Sequence, residues 1–89
     1  MFRVPCDINL NNGVAIQNLC IQDSTTSDTS ESIERAWSCL RSTILHHTNN
    51  GWRDGILEKK LTIADRGKVK VVFELHVDNE ELRVNISKF

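Results

Sequence analysis

Eighty-nine residues, 39% of them hydrophobic and 26% charged, are enough for one globular domain with a modest core and leave no room for a second. Eleven basic against twelve acidic side chains give a formal charge of −1, which supplies no net field toward nucleic acid or an anionic membrane. No stretch approaches the roughly eighteen apolar residues of a membrane-spanning helix, and no basic segment leads into an apolar one as a secretory leader would, so no membrane span is expected.

From Phe2 to Leu10 the apolar residues Phe2, Val4, Cys6, Ile8 and Leu10 alternate with polar ones, which predicts a half-buried strand. Pro5 cannot donate to a ladder, so that strand belongs at a sheet edge. Asn11-Asn12-Gly13 tolerates positive φ and predicts a turn. Val14 to Ile21 is then expected to return as a hairpin partner, although Gln17 and Asn18 break its alternation. The run from Asp23 to Ser30 is small and polar and is expected as a loop, over about 22–28, feeding a helix.

Asp28 with Glu31 three residues on has the form of a capping box, and Glu31 and Glu34 favour the positive end of a helix dipole. Ile33, Ala36, Trp37, Leu40, Ile44 and His47 recur at three- and four-residue steps, which predicts an amphipathic helix over 29–48. Asn49-Asn50-Gly51 supplies the left-handed residues that end it. After Trp52 the period changes from 3.6 to 2, and a meander is expected over 55–89. Its first strand runs from about Gly55 to Ala64, with Leu57, Leu61 and Ile63 on one face. Asp65-Arg66-Gly67-Lys68 makes a tight turn. The second strand presents Val69, Val71, Phe73, Leu75 and Val77 to the core and should be central. The third alternates Leu82, Val84 and Ile86 with Arg83, Asn85 and Ser87.

A bare meander would leave one apolar face of each strand wet, and the helix is the cover available. The expected architecture is therefore α+β: one amphipathic helix on an antiparallel sheet of four or five strands, order β(β)αβββ, with an N-terminal strand or hairpin over 2–21.

No catalytic, metal-binding or nucleotide-binding motif stands out in this pattern. Cys39 and His46 would lie about 10.5 Å apart along one helix, too far for a thiol and its base. His46 and His47 are adjacent and point about 100° apart, so they cannot chelate together. Cys6, Cys20 and Cys39 are odd in number and lack C-x-x-C spacing, for which reduced intracellular thiols are the simplest reading and one disulfide plus one free thiol in an oxidising compartment the alternative. The basic residues Lys59, Lys60, Arg66, Lys68 and Lys70 are interrupted by Glu58 and Asp65 and suit the solvated flank of a hairpin, which argues against a nucleic-acid site. Trp52 is read as a lid on the helix end, or, with Arg53, as an exposed anchor.

From Val14 onward the order of features resembles a group of small uncharacterised bacterial lipoproteins, in which an extended segment leads to a helix, a Gly-Trp pair and a closing meander. The residues carrying the resemblance are Ile33, Ala36, Gly51-Trp52, Gly55-Ile56, His76-Val77 and Leu82 to Ile86. The resemblance implies an envelope location and a structural role, but the lipidated cysteine of that family follows an apolar signal segment and Cys6 here does not. It transfers no catalytic residue.

The expected function is a non-enzymatic interaction module without a cofactor, such as a small inhibitor or immunity-type protein. It would act on a protein partner, or on itself, through the outer sheet face (Lys70, Glu74, His76, Arg83, Asn85) or a free sheet edge. Envelope lipoprotein and a small enzyme or carrier using Cys39 or the histidines are the alternatives.

Overall fold

The computed structural model describes residues 2–3, 8–9, 15–25, 30–63 and 66–89, with side chains over 16–25, 34–63 and 66–89. The expectations for Pro5, Cys6, the turn at Asn11-Asn12-Gly13, Asp28 and Asp65, and for the side chains of Glu31 and Ile33, lie outside the described residues. The elements are β1 (Phe2–Arg3), β2 (Ile8–Asn9), β3 (Ala15–Ile16), β4 (Asn18–Asp23), α1 (Ser30–Asn49), β5 (Gly55–Ile63), β6 (Gly67–His76), a 3-10 turn (Val77–Asn79) and β7 (Glu81–Lys88). One sheet has the order β1-β4-β7-β6-β5, and β2 pairs with β3 in a separate ladder. The fold is α+β.

The N-terminal segment does return on itself: β1 pairs antiparallel with β4, and β2 with β3. The sheet is mixed, however, and not antiparallel throughout, because β4 runs parallel to β7. The reason is the helix. It carries the chain back to the end from which β4 set out, so β5 starts in the same direction as β4 but at the far edge. Two antiparallel steps, β5 to β6 and β6 to β7, then bring β7, again in that direction, alongside β4. Consequently β7, rather than β6, occupies the middle of the sheet.

Ala36, Leu40 and Ile44 are buried at four-residue steps on α1 and meet a sheet face built from Leu19, Ile21, Val69, Val71, Phe73, Leu75, Leu82, Val84 and Ile86. Lateral register stacks these in rows: Leu19, Leu82 and Leu75 form one, and Ile21, Val84, Phe73 and Leu57 the next. Trp37 is half-buried at the margin of this cluster. Dispersion and area burial here, about 1.5 to 3 kcal/mol per large side chain, hold helix to sheet.

The helix stops in a Schellman arrangement. The Trp52 N–H donates to the His47 carbonyl (2.9 Å) and the Gly51 N–H to the Thr48 carbonyl (3.3 Å), with Gly51 at φ +109°. This turn lays Trp52 edge-on against Phe73, ring centroids 6.4 Å apart. Trp52 is thus packed at the core margin, while Arg53 beside it is exposed.

Two polar residues depart from expectation. β4 extends to Asp23, whose side chain is 2% exposed, and Arg66, expected on a solvated flank, is 5% exposed and forms an ion pair with it. The contact is charge to charge, without hydrogen-bond alignment at Asp23 Oδ2. The second Asp23 oxygen accepts from the Thr25 N–H (2.8 Å) and Thr25 Oγ1 (2.6 Å). The pair ties the exit of β4 to the β5–β6 turn.

Candidate functional site

The helix covers one face of the sheet and leaves the other uncovered among the described residues. Strand alternation decides what appears there. The inward residues are apolar, so the outward ones are Asn18, Cys20 and Gln22 on β4, Glu81, Arg83, Asn85 and Ser87 on β7, Lys70, Val72, Glu74 and His76 on β6, and Ile56, Glu58, Lys60 and Thr62 on β5. Register sets them in lateral rows. Cys20, Arg83, Glu74 and Ile56 make one; Gln22, Asn85, Val72 and Glu58 make the next.

Near the middle of this face lies a shallow cleft of about 110 Å³, lined by Cys20, Gln22, Glu74, Arg83, Val84 and Asn85. A pocket that encloses a small-molecule ligand has roughly 300 to 1,000 Å³. This cleft falls below that range. Its charges are arranged in opposition: Glu74 faces Arg83 across the ladder, and Glu81 faces His76. Within each strand His76 Nε2 lies 3.1 Å from Glu74 Oε2, and Arg83 Nε 3.0 Å from Glu81 Oε1. Lys70 reaches Glu58 on the neighbouring strand at 3.4 Å. Such exposed pairs are screened and individually worth at most about 1 kcal/mol, so breaking any one of them costs little.

Of the residues singled out from sequence, Glu74, Arg83 and Asn85 come together in the cleft, and His76 borders it through Glu74. Lys70 shares the face further along. Trp52 and Arg53 sit apart, at the junction of helix and β5. Cys20 and Gln22 were not anticipated. The alternation of Leu19 and Ile21 points them outward, but only the parallel pairing of β4 with β7 brings them beside Arg83 and Asn85. Apolar groups also reach this side: Ile56 is 69% exposed and Phe89 63%, the latter under the Lys60 ammonium at 4.5 Å from its centroid.

On the opposite side, the helical residues considered for chemistry have local partners. Cys39 is half-buried and its carbonyl accepts from Thr43 Oγ1; the Asn50 side chain donates to the His46 carbonyl at 2.9 Å. His47 is held below the ordinary imidazole pKa of 6.5 by burial, and further by Lys59 and His46. Cys20 and Cys39 are both free thiols, divided by the sheet. No helix among the described residues is long and apolar enough to cross a membrane. Comparisons with protein-family models, curated proteins and solved structures return no match to this chain.

Proposed function

We propose that this chain is a non-enzymatic interaction module that binds a protein partner through the uncovered sheet face, in the manner of a small inhibitor or immunity-type protein. The observation that carries the reading is the cleft where Glu74, Arg83 and Asn85 meet Cys20 and Gln22. Arg83 is exposed at its rim, and an arginine with planar donors is a frequent energetic centre of protein interfaces. Opposed charges around it would fix the orientation of a partner and speed encounter, while Ile56 and Phe89 would supply apolar contact at the periphery. Among the described residues Cys20 and Cys39 are free thiols, which fit a reducing compartment, so the reading carries the cytoplasm with it.

The test is capture of a partner from the native host, followed by titration with purified wild type and with Arg83→Glu. Reversing an exposed charge leaves the fold intact, which circular dichroism would verify. Binding weakened by tenfold or more, about 1.4 kcal/mol, supports the reading. A partner that binds both proteins equally overturns the face as the contact surface.

A further inference from the structure

β5 is the outermost strand of its sheet, and no described strand pairs with its free side. It runs nine residues, keeps an unbroken ladder with β6, and contains neither a proline nor a bulge that would blunt it. Such an edge offers a row of N–H and C=O groups to any strand whose side chains match. The side chains of β5 match their own reverse. On the outer face stand Ile56, Glu58, Lys60 and Thr62; on the helix side Leu57, Lys59 and Leu61 are half-buried.

We propose that β5 pairs antiparallel with β5 of a second copy, about a twofold axis that passes through Lys59 perpendicular to the sheet. Such an axis keeps each face on its own side, so a residue can only oppose one of the same parity. With Lys59 on the axis, Glu58 opposes Lys60 of the second copy, twice over. Leu57 opposes Leu61 of the second copy, again twice, and Ile56 opposes Thr62. The neighbouring registers lose this. Centring on Glu58 sets Glu58 against itself and Leu57 against Lys59, and centring on Lys60 sets Lys60 against itself and Glu58 against Thr62. Opposite charges and apolar pairs directly across a ladder favour it, and like charges there oppose it.

One contact is adverse, Lys59 against its own copy, and its four-carbon stem lets the ammonium leave the axis for solvent. The present contacts of Glu58 with Lys70 and of Lys60 with Phe89 are exposed and easily exchanged. Pairing extends each five-stranded sheet into one of ten strands, with both helices on one side and both outer faces continuous on the other. The dimer does not depend on partner binding at Arg83, and Arg83→Glu leaves the β5 edge untouched.

Sedimentation equilibrium from about 10 μM to about 1 mM, the range suited to a small interface, tests it. The wild type should show a monomer–dimer equilibrium. Lys60→Glu should weaken it about tenfold or more, and Glu58→Lys with Lys60→Glu, which restores opposition, should recover it. As a second variant, Lys59→Cys should link two copies at position 59 on mild oxidation, because opposed Cα atoms lie about 4.5 to 5.5 Å apart. Peptide mapping would locate the link. A wild type that stays monomeric across the range overturns the proposal, as does a dimer indifferent to Lys60→Glu or a position-59 thiol that stays unlinked.

Discussion

Asp23 occupies an inward position of β4, two residues beyond Ile21, where alternation would place an apolar side chain. A carboxylate there must be compensated, and Arg66 from the β5–β6 turn does so while Thr25 holds the other oxygen. A buried pair contributes little net stability as a pair, but losing one partner strands the other charge. Arg66→Met should therefore cost about 3 to 5 kcal/mol in urea unfolding. Asp23→Asn added to it should recover much of that loss, since asparagine keeps an acceptor for the Thr25 N–H and removes the stranded charge. A single variant as stable as wild type would show that the pair is not buried in solution. Composition alone hid this contact. Asp23 begins a run of small polar residues and Arg66 lies among lysines, so each looked solvated until the register placed it.

At the scale of elements, α1 and the three strands of the meander were legible because periodicity reports directly which face an element buries. Ala36, Leu40 and Ile44 differ from Glu34 and Arg41 by helical spacing alone, and Val71, Phe73 and Leu75 differ from Lys70, Glu74 and His76 by alternation alone. The helix end was equally readable from Gly51. Its φ of +109° is left-handed, and no neighbour lies within 4 Å of where a Cβ would stand. Gly51→Ala should thus cost roughly 1 to 2 kcal/mol, all of it conformational, read as a lower melting temperature with native spectra. A substitution without effect would mean that the helix can end another way. Alternation reports a face but not a neighbour, which is why the union of β4 with β7 was not legible, nor Cys20 and Gln22 as parts of the cleft.

The molecule as a whole is closed by contacts between distant parts of the chain. Ser24 donates to the Ile86 carbonyl through both its N–H (3.0 Å) and its Oγ (3.1 Å), across 62 residues. The Glu80 carbonyl accepts from both Gln17 and Asn18 at 3.0 Å. Pairings of this span must close long loops before they return any stabilisation. Refolding followed by the fluorescence of Trp37 and Trp52 should therefore fall in the range of about milliseconds to a second, characteristic of non-local topologies. Microsecond refolding would show that the β4–β7 union forms after the rate-limiting step.

The same union has a consequence during synthesis. β4 emerges from the ribosome with one edge paired to β1 at most, and the strand that covers its other edge is made more than sixty residues later. At about 5 to 20 residues per second, Leu19 and Ile21 wait some seconds beside an empty lane. The nascent helix can shelter their side chains, but the backbone edge of β4 stays open until β7 arrives to fill it.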